Sequence, residues 1–181
     1  MAAARAVFLE QGFSGARTKD IAERSGVTEA FLYRHFDSKD QMYAEAILDP
    51  VRLGLEGLER DIRRIHAEQH DPVDFLQALN ALCLSYYMEY APLQAVALYS
   101  ELGNGRDFYN QNLRPLIRKI GVLIADRVWR KDGLDPLVVG RVVLGAEWAV
   151  GLDYMMRHKK PDLDTAVKRM TQMFTGGIKE K

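Results

Sequence analysis

Thr18, Lys19, Tyr33, Arg34, His35 and Lys39 lie close together in the chain, and each either donates hydrogen bonds or carries positive charge. None belongs to a pattern that performs covalent chemistry. The chain has no Gly-x-Ser-x-Gly elbow, no glycine-rich phosphate loop and no paired acids in an apolar setting. Of His35, His66, His70 and His158, only His66 and His70 stand at ligand spacing. That pair falls at a polar helix end with no cysteine near it, which suits a solvated terminus better than a metal. The residues point away from an enzyme and from any metal or cofactor. They point toward a surface of hydroxyl, phenol, imidazole and ammonium groups suited to phosphate.

Such a surface needs elements to hold it. From Thr18 to Phe36 the apolar and small residues each have a steric reason for their place. Ile21, Val27 and Leu32 face inward from two short helices, Ala22 is small enough to let the helices approach, and Gly26 supplies the positive φ of a tight turn. Thr18 is expected to cap the first of these helices and Thr28 the second, which should end near His35. Ser38 and Gln41 form a capping box that starts a longer helix, in which each side chain takes the other's free backbone N–H. Ala3 to Gln11 is a helix stopped by Gly12, after which Phe13 folds back onto the core. Two core helices with a glycine turn would explain the apolar residues. Only a helix-turn-helix reader of DNA also explains the exposed set.

In order and spacing this segment resembles the tetracycline-repressor (TetR) family of bacterial regulators. The matching residues are Ala3-Ala4, Val7-Phe8, Gly12-Phe13, Thr18, Ile21-Ala22, Gly26-Val27, Leu32-Tyr33, His35-Phe36 and Ser38-Lys39, all within about the first 47 residues. The resemblance implies that Thr18, Tyr33, His35 and Lys39 contact phosphates, fixing register without reading sequence. For Tyr33 and His35 the alternative is packing on Phe36 and Phe13. Base reading would fall to Lys19, Glu29, Ala30, Phe31 and Arg34. Arg34 or Lys19 can pair with guanine, Glu29 can accept from cytosine, and Ala30 or Phe31 can touch a thymine methyl. Glu29, Ala30 and Phe31 stand where many members carry a basic or polar residue, a glycine or proline, and a threonine or serine. Met1 aligns inside the first helix, so the basic arm of many members is expected to be absent or trimmed.

The rest of the chain also reads as helix, because apolar positions recur every three or four residues and sustained alternation is missing. Pro50 is expected to break or kink the helix it enters. Further helices are expected from Pro72 to about Tyr90, Pro92 to about Leu102, Asp107 to about Arg130, Pro136 to His158 and Pro161 to about Phe174. The whole is an all-α chain of about nine helices, with a reader over residues 1–47 and a larger helical domain over 48–181. The Pro136 helix is apolar on almost every side, so it needs two surfaces to bury it. Val142, Gly145, Trp148, Ala149 and Leu152, with Met170, Met173 and Phe174 of the last helix, are the expected homodimer seam. The competing use is the core of a monomer. Aromatics gather at Phe75, Tyr86, Tyr87, Tyr99 and Phe108 around Asn80 and Cys83, with Glu101 and Asn104 as further polar groups. This is the expected pocket for a small apolar or aromatic effector, although ordinary core would use most of the same residues.

Composition sets the frame. Hydrophobic residues make up 48% of the 181-residue chain and charged residues 28%, enough to bury a real core. No stretch approaches the roughly 18 apolar residues of a membrane span. The single cysteine, Cys83, sits between Leu82 and Leu84 and cannot form an internal disulfide, which suits a reducing cytoplasm. Residues 1–48 hold six bases against seven acids, a net of −1, so bulk charge does not announce a nucleic-acid binder. The resemblance implies a regulator, most simply a repressor, whose dimer sits on a palindromic double-stranded operator until an effector releases it. A helical small-molecule-binding or protein-interaction dimer that has lost specific DNA binding stays open beside it, on the neutral charge and on Glu29.

Overall fold

In the computed structural model, which describes residues 1–99, 105–128, 135–157 and 162–176, the described residues form helices without any strand. The segments are α1 (Ala2–Gly15), α2 (Thr18–Ser25), α3 (Glu29–Leu32), α4 (Lys39–Tyr43), α5 (Asp49–Glu68), α6 (Pro72–Tyr99), α7 (Gly105–Phe108), α8 (Arg114–Arg127), α9 (Pro136–Met156) and α10 (Leu163–Thr175). A π turn at Ala44–Leu48 joins α4 to α5 without a break, and another at Tyr109–Leu113 joins α7 to α8. Eight helical runs result among the described residues, the first of them kinked at Gly12, where φ is 69°.

The prolines account for several departures from the sequence expectation. Pro50 does not break its helix, and Pro92 lies inside α6, so the two helices expected on either side of Pro92 are one. Pro50 and Pro115 each follow a π turn, where the ladder is already shifted and a missing N–H disrupts least. Pro50 cannot donate to the carbonyl four residues back, that of Ala46. The Arg5 Nε–H of α1 donates to this oxygen instead, at 3.1 Å. Pro72 does open its helix, and Asp71 caps it by accepting from the N–H groups of Val73 and Asp74.

Two compact units emerge, one made of Met1–Gly54 with Tyr90–Asn112, the other of Leu55–Glu89 with Leu113–Lys181. The core of the first holds Val7, Phe8, Ile21, Met42 and Ile47. Phe13 turns back as expected, with its ring 6.2 Å from Phe8 and 5.2 Å from Tyr43, whose hydroxyl donates to the Val96 carbonyl. In the second unit α8 and α9 make backbone contact at Gly121 and Gly140. A Cβ on Gly121 would overlap the Pro136 carbonyl, and one on Gly140 the Ile117 carbonyl. Gly140 therefore serves the chain's own packing. At the other end of α8, the Arg127 guanidinium donates to the Gln69 and His66 carbonyls that finish α5.

Replacing Arg5 with Ala should lower stability by about 1–2 kcal/mol, the cost of stranding a carbonyl that had a charged donor. In a Pro50→Ala background, where an N–H at position 50 can serve Ala46, the same replacement should cost clearly less. Urea denaturation of the four proteins measures both, and equal costs in the two backgrounds would refute the link.

Candidate nucleic-acid interface

Ala22 and Gly26 set the geometry of the reader. Helix α2 ends in a Schellman turn: Gly26 is left-handed at φ 69°, its N–H donates to Glu23, and the Val27 N–H reaches back to Ala22 at 3.0 Å. Ala22 and Ile21 are buried beneath this turn, Val27 is half-buried, and Leu32 of α3 is buried as well. Thr28 caps α3 by accepting from the Phe31 N–H. Helix α3 is shorter than expected, ending at Leu32, and Tyr33, Arg34 and His35 occupy the turn that follows.

Thr18 is not the cap of α2. Arg17 holds that position without a side-chain bond, and the Thr18 hydroxyl instead donates to Glu29 Oε1 at 2.6 Å. The Tyr33 hydroxyl donates in turn to Thr18 Oγ1 at 3.4 Å. A relay thus runs Tyr33 to Thr18 to Glu29 across the outer side of α2 and α3. Both hydroxyl protons point along it, toward the Glu29 carboxylate. The capping box at Ser38 is also shifted. Ser38 Oγ accepts from the Gln41 N–H as expected, but Gln41 Oε1 accepts from Asp37 one residue earlier.

The remaining expected contacts are accessible. Glu29, Ala30, Phe31, Tyr33, Arg34 and His35 are exposed and Lys39 is half-buried. Arg34 lies over the Phe31 ring at 5.1 Å, His35 stands 4.7 Å from the same ring, and Lys39 Nζ sits 4.4 Å over Phe13. His35 therefore packs on Phe31, while its suggested partners Phe36 and Phe13 are engaged elsewhere or not in ring contact with it. Lys19 makes only a surface contact with Glu23 at 3.8 Å, both side chains being well exposed. On the flank, Arg24 ties α2 to α1 through Glu10 at 2.6 Å and holds that carboxyl below its usual range. The arrangement places hydroxyl, phenol, imidazole, guanidinium and ammonium groups on one accessible side, with one carboxylate among them.

The other expected sites are distributed as follows. Phe75, Asn80, Cys83 and Tyr86 are buried in the second unit, and Tyr87 there is half-buried with its ring 6.1 Å from Tyr86. Tyr99 and Phe108 belong to the first unit, Tyr99 being 79% exposed and Phe108 buried. Glu101, Asn104 and His158 lie outside the described residues. On α9, Val138, Val142, Gly145, Trp148, Ala149 and Met156 are exposed and Leu152 is half-buried, while Met173 is exposed on α10. Met170 and Phe174 are buried within their own chain. Sequence reasoning missed the acid Glu147, which is completely buried on the opposite side of α9. Helical periodicity was the available signal, since Glu147 continues the inward series Val139, Val143, Gly151 at four-residue spacing.

Residues 1–46 match the family model for bacterial regulatory proteins of the tetR family. The chain is 29% identical over 185 residues to the HTH-type transcriptional repressor KstR2 of Rhodococcus jostii, covering 97% of this chain and 87% of that protein. It is 24% identical to the HTH-type transcriptional activator FasR of Mycolicibacterium smegmatis, covering 97% and 80%. Among solved structures it is similar to the regulator FadR of Bacillus subtilis in complex with stearoyl-CoA, at a TM-score of 0.71 and 20% identity over 98% of this chain and 97% of that one.

The relay yields one prediction. Glu29→Gln removes the carboxylate from the exposed side of the helices and should tighten binding to any duplex by roughly 1 kcal/mol, about fivefold. Fluorescence anisotropy on matched and scrambled duplexes measures it, and weaker binding by the variant would mean that Glu29 is a base-reading acceptor.

Proposed function

Because the chain belongs to the TetR family of bacterial regulators, we propose that it is a ligand-responsive repressor that binds a palindromic operator as a homodimer and leaves it when a small molecule binds. The observation that carries this reading is the helix-turn-helix with its accessible set of donors on one side of α2 and α3. Residues 1–47 are the reader in this proposal, and 48–181 serve dimerisation and sensing. Thr18, Tyr33, His35 and Lys39 would hold phosphates, and Lys19, Glu29, Ala30, Phe31 and Arg34 would meet base edges. Such a regulator acts in the cytoplasm, on the nucleoid when bound.

The dimer is supported by a stripe. Val138, Val142, Gly145, Ala149, Leu152 and Met156 follow one another at spacings of three and four along α9, apolar or small and accessible to a partner, with Trp148 beside them. Met173 extends the stripe onto α10, whereas Met170 and Phe174 seat α10 on its own chain. The effector site is placed among Phe75, Asn80, Cys83, Tyr86 and Tyr87. The stearoyl-CoA of the structural relative favours a ligand with a substantial apolar body. An effector that fits the DNA-incompetent spacing of the two readers better than the competent one lowers operator affinity by that difference. One observation favours a dimer without specific DNA binding instead, the Glu29 carboxylate among the donors.

Selection of bound duplexes from a random pool, followed by salt titration, tests the proposal. Half-sites should recur one turn of DNA apart, about 34–36 Å, or at a multiple of it. Lys39→Ala should weaken all duplexes alike and lower the slope of log affinity against log salt by about one unit. Arg34→Ala should relax preference at one base position per half-site. An unchanged slope or an undiminished base preference would reverse these assignments. Ala149→Arg should turn the dimer into a monomer in sedimentation by placing a charge in the seam, and a variant that still sediments as a dimer would move the seam elsewhere.

A further inference from the structure

The second unit contains an acid with nothing to bind. Glu147 of α9 is fully inaccessible, and neither of its carboxyl oxygens has a hydrogen bond of ordinary geometry among the described residues. Its polar neighbour is the thiol of Cys83 on α6, a weak donor. Asn80, one turn earlier on the same side of α6, is also fully buried and has an idle acceptor. Its amide nitrogen donates to Thr171 of α10 at 3.0 Å, and the Thr171 hydroxyl passes on to the Val167 carbonyl, but Asn80 Oδ1 accepts from nothing. Tyr87, a further turn along α6, is half-buried and forms the edge of the group nearest to solvent. The spacing of Asn80, Cys83 and Tyr87 puts all three on one side of α6. The packing here is close, since a Cβ on Gly151 would stand 3.4 Å from Tyr87 Cβ.

The idle atoms share one chemistry once the acid ionises, because both carboxylate oxygens and the amide oxygen then accept hydrogen bonds. Among the described residues no Lys, Arg or His acts on Glu147. Among the same residues Cys83 and Tyr87 of α6 interact with it, and burial and the nearby acid push both still further toward their neutral forms. An apolar residue of similar volume would pack at position 147 without this cost. Resting on the reading of the chain as a ligand-responsive regulator, we propose that Glu147, assisted by Asn80, is the anchor for a cationic nitrogen on an otherwise apolar effector. Such a ligand supplies the donors that the protein lacks and the positive charge that lets the carboxylate ionise. An apolar ligand alone would leave the acceptors idle, and an anionic one would keep the acid neutral and gain no ion pair. Since the group is closely packed, the ligand separates α6 from α9 on the Tyr87 side as it binds, so it selects an opened conformation. Burial holds the free Glu147 carboxyl in its neutral form to well above the usual carboxylate range. Binding therefore converts a carboxylic acid and an ammonium into an ion pair and releases one proton to solvent.

Calorimetry on the full chain with octylammonium, phenethylammonium and decylammonium tests this, with octanol and octanoate as neutral and anionic matches. At least one cation should bind saturably and raise the Tm, while octanol and octanoate bind at least tenfold more weakly. Titrations in buffers of different ionisation enthalpy should show about one proton released per cation bound. Glu147→Gln should weaken the cation at least tenfold and abolish the proton release while keeping the fold by circular dichroism, with Glu147→Leu as a second variant that fills the same space. Failure of all three cations to bind at millimolar concentration overturns the proposal, as does equal binding of octanol or an unaltered proton release in Glu147→Gln. Operator binding measured on the same preparations separates the two ideas. A protein that binds its operator but no cation retains the regulator reading and loses this one.

Discussion

Everything the reader presents depends on the Schellman turn at Gly26. Its two backbone bonds, to Glu23 and to Ala22, end α2 and start the chain toward α3 within three residues. A residue with a Cβ would be strained at φ 69°, and a larger one than Ala at position 22 would fill the space under the turn. Because the turn leaves little freedom, the start of α2 comes within hydrogen-bond distance of α3, and the Tyr33, Thr18 and Glu29 relay forms. The relay gives the effector-free and DNA-free reader an internal partner for each hydroxyl. In the contacts we propose, a phosphate would exchange one hydrogen bond for another at Thr18, so the net gain there would be small and the charges of Lys39 and Arg34 would carry more of the affinity.

The second structural theme is helix continuity. Three prolines that look like punctuation in the sequence do not end helices, and the chain handles two of them in the same way, by a π turn placed just before. At Pro50 the displaced carbonyl of Ala46 is held by Arg5. The first helix of the reader thus touches the backbone at the point where α4 becomes α5. The helical run from Lys39 to Glu68 is unbroken at its proline.

Much of this was legible in the residues. The all-helical class followed from periodicity, and Gly12, Gly26, Thr28 and the Ser38 cap stood where their conformations or side chains were needed. Local chemistry was less legible wherever two partners competed. Thr18 has the right type for a cap, but Glu29, distant in sequence and brought close by the turn, is a stronger acceptor of its proton than a helix end is a donor to its oxygen. Gln41 reaches Asp37 and not Ser38 for the same reason, a difference in register that one-dimensional spacing cannot resolve. Pro50 and Pro92 were misread because propensity alone excludes them from helices, while tertiary packing and a shifted ladder admit them. Glu147 was overlooked because a helix that is apolar on nearly every side draws attention to its apolar residues.

In the regulator we propose, helix α9 carries both the effector anchor and the dimer stripe. Its inward series, Val139, Val143, Glu147 and Gly151, packs within the second unit, and its outward series from Val138 to Met156 is accessible. A rigid helix cannot turn one side without turning the other, so any ligand that satisfies Glu147 by moving α9 away from α6 also moves the outward stripe. Gly121 and Gly140 hold α9 against α8 at its N-terminal end through backbone contact, which leaves little room for sliding there. On our proposal, a ligand that displaced α9 from α6 would pivot it about that contact, with the displacement growing toward Trp148 and Met156. In the dimer we propose, such a pivot would rotate one subunit against its partner and so change the spacing of the two readers.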